Sequence, residues 1–137
     1  MPDCDLKRRH TAAAVVSDTV LTTVLAAIDA MGDDFGVADT AQLMAFMVIR
    51  RNDERGLPPI SQRAIARELS TPRHKVSHQT VANWLKPLRA AGMIVQSRGG
   101  YRGHLGWLAD RLHSDHFKRM VGALVDGGKQ LEPFDTR

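Results

Sequence analysis

Near the start of the chain, apolar residues recur every three or four positions, at Val16, Val20, Val24, Ile28 and Met31, with Leu21 and Leu25 widening the stripe. That spacing predicts an amphipathic helix over 11–32, ended by Gly32. Asp33, Asp34 and Gly36 interrupt the pattern, and Asp39 with Gln42 makes a capping-box-like start for a second helix. Its Leu43, Met44, Phe46, Met47, Val48 and Ile49 are apolar nearly all round, which places it at the centre of the fold. The polar, Pro-containing stretch 50–59 predicts a loop or a short edge strand ending at Ile60.

Ser61 is placed to cap a third helix, with Ile60 and Ile65 as a hydrophobic staple across the cap and Leu69 one turn on. Thr71 to Lys75, with Pro72, does not suit a helix; a new start follows at Ser77, where Val76 and Val81 repeat the staple spacing. The helix beyond carries Val81, Leu85 and Leu88 on one face and stops before Gly92. Pro87 lacks the amide that would bond the Asn83 carbonyl, so a kink or loosening is expected over 83–87.

After Gly92, residues 93–97 and 104–108 read as two short strands joined by a glycine-rich, basic loop, Arg98 to Gly103, with Tyr101 at its exposed tip. A last amphipathic helix, 109–127, carries Leu112, Phe117, Met120, Val121, Leu124 and Val125 and ends at Gly127-Gly128. The fold class expected is mostly α with a small β-hairpin. A chain of 137 residues fits a single domain, here an N-terminal helix (11–32), a core (39–108) and a C-terminal helix (109–127).

Charge changes the picture more than composition does. Residues 55–104 hold nine Lys/Arg against one acid, Glu68, a balance of +8, whereas the rest of the chain holds ten basic and fourteen acidic residues, a balance of −4. The net +4 therefore hides a strongly basic middle, the usual mark of a polyanion partner. The lone Cys4 offers no internal disulfide and suits a reducing compartment. Asp18 and Asp29 interrupt the first apolar stretch, so no membrane-length run is expected, and a soluble, cytoplasmic protein is.

If Val81, Leu85 and Leu88 face the core, helical geometry turns His78, Gln79, Ala82, Asn83 and Lys86 outward. Gln79 and Asn83 can each pair bidentately with adenine, and Lys86 can donate to guanine, in the major groove of duplex DNA. Ser61, Arg63, Arg73, Lys75, Ser77 and Thr80 suit phosphate contacts. Arg98, Tyr101 and Arg102 fall where a hairpin reaches the backbone or the adjacent minor groove. Taken singly, each of these residues is as readily a solvated surface group; together they converge on one face, which favours a shared ligand. Trp84 reads as half-buried packing and Trp107 as core.

Other chemistry finds less support. His113 and His116, spaced i, i+3 near Asp110 and Asp115, do not make a complete metal-ligand set. Ser114, Asp115 and His116 are adjacent on one helix, so their side chains diverge and form no relay. Neither a phosphate-binding loop nor a dinucleotide fingerprint is present. No catalytic residue, metal or cofactor is assigned, and an enzyme is not expected.

Ala66 and Leu69, Val76-Ser77, Thr80-Val81, and Leu85, Leu88, Gly92 and Ile94 together resemble the winged helix-turn-helix superfamily of DNA-binding proteins. The element order looks most like MarR-type transcriptional regulators, with a longer turn at Thr71 to Lys75 and without the Asp-x-Arg signature of their wing. The resemblance implies double-stranded DNA as partner and a homodimer paired through the N- and C-terminal helices. It also implies a palindromic operator whose half-sites lie about 34 to 36 Å apart, repression by occlusion, and a small-molecule effector for which no residue here designates a pocket. Two other readings stay open: a plasmid or phage replication-initiation or partition protein, and a winged helix used as a protein-interaction module, such as an antirepressor or polymerase adaptor.

Overall fold

A computed structural model describes residues 2–36, 38–103 and 113–134. Among them the chain is mostly helical with one two-stranded antiparallel hairpin. Its contacts separate into two compact units, Met1–Ala30 with Arg111–Arg137, and Met31–Asp110.

The first unit pairs most of α1 (Pro2–Phe35) with α5 (Asp115–Leu131), which is followed by a 3-10 turn, Glu132–Phe134. The two helices run antiparallel: Arg8 donates to the Pro133 carbonyl and lies over the Phe134 ring, Thr19 meets Gly127, and Arg119 reaches Asp29 at 3.4 Å. Gly127 is buried, and a Cβ there would overlap the Thr19 side chain. That contact explains why a glycine sits inside α5, and the helix runs past the Gly127-Gly128 pair at which the sequence predicted its end. Its start is also later than predicted: Ser114 caps it, accepting from the Phe117 amide at 3.1 Å.

This unit leaves much apolar surface in solvent. Val16, Val20, Leu21 and Leu25 on α1, and Val121, Leu124 and Val125 on α5, are all at least 40% exposed, Leu21 reaching 58% and Leu124 55%. The stretch Lys7–Phe35 is long and apolar enough, by length and composition alone, to cross a membrane. The expectation that no such run exists is corrected: Asp18 is the only charged residue in 11–28, too few to break the stretch.

In the second unit α1 passes through Gly32 and ends at Phe35. Gly36, at φ 72°, is the left-handed terminator, with its amide bonded to the Gly32 carbonyl at 2.9 Å. The predicted end at Gly32 is three residues early because a glycine with helical φ does not stop a helix; one with positive φ does. α2 (Thr40–Glu54), α3 (Gln62–Leu69) and α4 (His78–Ala90) begin at the caps read from sequence. Asp39, Ser61 and Ser77 each accept from the amide three residues on, at 3.1 Å.

α2 packs on α3, α4 and the hairpin, and Phe46, Ile49, Ile65, Val81, Leu85, Leu88, Met93 and Ile94 are fully buried. Each such side chain contributes on the order of 1.5–3 kcal/mol through burial. Met44 and Met47 of α2 are half-exposed, so that helix is not enclosed on every side. α4 continues as one helix through Pro87 to Ala90. The buried anchors Leu85 and Leu88 flank the proline and hold the turn.

The hairpin differs from expectation. β1 (Ile94–Ser97) pairs with β2 (Gly100–Gly103), in register Ile94 with Gly103 and Ser97 with Gly100. The loop is only Arg98-Gly99, both at positive φ (49° and 78°), a type I′-like tip. The sequence placed the second strand at 104–108, which lies outside the described residues, as does Trp107. The strand that forms occupies what was read as loop, because Gly100 and Gly103 are required there. A Cβ on Gly100 would overlap the Pro59 carbonyl, and one on Gly103 would stand 2.6 Å from Arg50 Cδ. Ile60 adds a further bridge, exchanging both backbone hydrogen bonds with Tyr101 (2.8 and 3.3 Å).

Candidate nucleic-acid interface

Burial divides α4 into two faces. Val81, Leu85 and Leu88 are at most 1% exposed, while His78, Gln79, Asn83 and Lys86 are exposed, and Thr80, Ala82 and Trp84 are half-buried. The three buried residues repeat at four and three positions, so the helix cannot turn its polar stripe inward without losing them. Trp84 sits, as read from sequence, partly covered.

The connection before α4 is held by its own polar groups. Thr71 and His74 exchange backbone hydrogen bonds at 2.8 and 3.2 Å, and the Thr71 hydroxyl accepts from the His74 amide at 3.0 Å. Ser70 Oγ donates to the Ala66 carbonyl at 2.8 Å and accepts from the Val76 amide at 2.9 Å. Gln62 Nε2 reaches the His78 carbonyl at 2.7 Å, tying the start of α3 to the start of α4. Arg73 and Lys75 are exposed on this connection, and Ser61 and Ser77 are exposed at the two caps with Arg63 beside the first. Ser77 and Thr80 share a hydroxyl contact of 2.9 Å, so part of their capacity is already used.

The three hairpin residues separate. Arg98 stands exposed at the tip. Tyr101 is not at an exposed tip: it is 8% exposed, in β2, opposite Gln96 and bridged to Ile60. Arg102 is exposed on β2 but faces an acid, with Nη1 3.6 Å from Asp53 Oδ1. The sequence misplaced both residues because it read a six-residue loop, 98–103, where the turn is only Arg98-Gly99.

Asp53 is the residue that sequence reasoning missed. Its side chain is only 5% exposed; Oδ2 accepts from the Gly103 amide at 2.8 Å and lies 3.7 Å from Arg50 Nη1. Arg102, beyond hydrogen-bond length from Oδ1, closes the group on its exposed side. Asp53 thus fastens the foot of β2 to the end of α2. An acid three positions before the glycine of a Pro-containing loop carries no sequence signature of such a role.

Of the block's cations, Arg63, Arg67, Arg73, Lys75, Lys86, Arg89 and Arg98 form no ion pair among the described residues. Its one acid, Glu68, is taken by Arg51 of α2 at 3.0 Å. The positive charge is therefore largely uncompensated within the fold. No group of three or more His, Cys, Asp or Glu suited to a metal occurs among the described residues. Comparison with family models, with curated proteins and with solved structures gave no match.

Proposed function

We propose that this chain is a winged helix-turn-helix regulator that binds double-stranded DNA sequence-specifically, with α4 as recognition helix and the hairpin as wing. The observation that carries the reading is the outward stripe of α4, where Gln79, Asn83 and Lys86 stand clear of the core beside unneutralised Arg63, Arg73 and Lys75. Amide and ammonium side chains on one exposed helix face match the donor and acceptor pattern of base edges in a major groove. Uncompensated cations around them match phosphates. Arg98 serves as the wing contact, and Arg102 and Tyr101 hold the wing to the fold.

The reading includes a homodimer built on α1 and α5. Two antiparallel helices with large apolar residues this exposed do not complete a core, and a second copy would bury the stripe in a four-helix arrangement. A two-fold dimer then addresses a palindromic site and represses by covering a promoter. MarR-type organisation is the arrangement this resembles.

Selecting genomic fragments with the purified protein, then footprinting them, tests the reading. An inverted-repeat footprint is expected. Protection of direct repeats would transfer the protein to replication or partition, and recovery of no fragment would reject DNA recognition altogether.

A further inference from the structure

A groove of about 410 Å³ opens between α3 and the start of α4, with Arg63, Arg67, Lys75 and His78 on its walls. Arg67 has no role in the reading above. We infer that this groove is a seat for a single phosphate group, and that Arg67 and Lys75 grip it from opposite sides. The DNA reading supplies its natural source, a backbone phosphodiester beside the recognition helix, and the proposal rests on that reading for the source alone.

Arg63 and Arg67 are spaced i, i+4 on one eight-residue helix, and neither has an acidic partner among the described residues. Like charges at that spacing destabilise a helix by about 0.2–0.5 kcal/mol, so the pair has no structural use that the fold reveals. Glu68, the only acid on α3, is drawn off to Arg51. From the other side come Lys75, on the connection, and His78, the first residue of α4.

The groove is also built rather than incidental. Its floor includes Ala66, Ser70 and Val76, and the Ser70 hydroxyl is committed to the Ala66 carbonyl and the Val76 amide, which fixes the two walls relative to each other. The Gln62 side chain bonded to the His78 carbonyl at 2.7 Å fixes them a second time. Ser77 satisfies the Thr80 amide, which leaves the His78 and Gln79 amides without helical partners at the start of a thirteen-residue helix whose first residue lines the groove.

The test compares the full chain with Arg67→Gln/Lys75→Gln, and with a charge-matched control, Lys118→Gln/Lys129→Gln, whose cations lie on α5, outside the groove and the basic block. In the first arm, anisotropy titrations of a labelled duplex over a salt series should show the groove variant losing about two units of log–log salt slope, about one for the seat in each protomer of the dimer. That loss equals about a hundredfold in affinity at 0.1 M salt. The control should bind like the wild type. In the second arm, amide shifts of His78 and Gln79 should saturate with inorganic phosphate in the wild type and the control but not in the groove variant. If the wild type binds no duplex yet phosphate saturates those amides, the seat stands with a free phosphate ligand and the DNA reading falls. If the groove variant matches the control in the duplex arm and phosphate leaves His78 and Gln79 unmoved, the seat is overturned whatever the wild type does with DNA.

Discussion

Replacing Asp53 by alanine tests the claim that one buried carboxylate holds the hairpin. The substitution removes the acceptor of the Gly103 amide, a 2.8 Å bond to an ionised group, and takes one of two counter-charges from Arg50, itself only 18% exposed. A hydrogen bond to a charged partner contributes about 1.5–3 kcal/mol, and Arg50 keeps Glu54 at 3.5 Å, so the weakened pairing there adds little. Arg102 is 44% exposed, so its pairing is screened by solvent and contributes under about 1 kcal/mol. The expected cost is about 3 kcal/mol, roughly 12 °C in melting temperature for a chain of this size. Asp53→Asn keeps an oxygen for the Gly103 amide and should cost about half as much. Urea unfolding followed by far-UV circular dichroism measures both, and an unchanged m-value would keep the loss in the native state. Double-mutant cycles should give a larger coupling for Asp53 with Arg50 than with Arg102. A loss under about 0.5 kcal/mol for Asp53→Ala would refute the anchoring role.

Other substitutions bear on the rest of the molecule. Arg98→Asn should raise stability by about 0.5 kcal/mol, because asparagine tolerates a positive φ that costs arginine about 1 kcal/mol, while weakening binding to every duplex alike; stability and affinity moving together would contradict the assigned tip. Leu21→Glu/Leu124→Glu should remain folded and return a monomer mass by light scattering where the wild type returns a dimer at micromolar concentration. A wild-type monomer, or a wild type recovered only with detergent or membranes, would remove the dimer. Asn83→Ala should relax preference at one base position at a cost of about 1–3 kcal/mol on the preferred site. Across a salt series the wild type should show a log–log slope of about −7, for a dimer meeting roughly eight phosphates, and a flat response would reject phosphate contacts.

Features written in short sequence windows were legible. The caps at Asp39, Ser61 and Ser77 need only one side chain and an amide three residues away, and the inward triplet Val81, Leu85 and Leu88 needs only helical periodicity. What escaped depends on contacts between distant residues. Gly100 and Gly103 look like loop residues until Pro59 and Arg50 are brought against them, and Gly127 looks like a terminator until Thr19 fills the space where its Cβ would be. Arg102 looks like a free cation until Asp53, forty-nine positions earlier, is folded beside it. The exposed face of α4 was read correctly because it follows from what is buried, whereas the hairpin residues were misassigned because a one-sided charge pattern does not say which arginine is already paired.

On the proposed reading, the brevity of the hairpin limits how much information this protein extracts from a duplex. Four residues per arm span about 13 Å, and one cation at the end gives a touch to the backbone and little discrimination among bases. On the proposed reading, each protomer distinguishes sequences through one helix, enough for about four base pairs, a word that recurs by chance roughly every 256 positions. Two protomers spelling it twice lengthen the interval to about 65,000. Pairing of chains would then be a condition of finding an address in a genome at all.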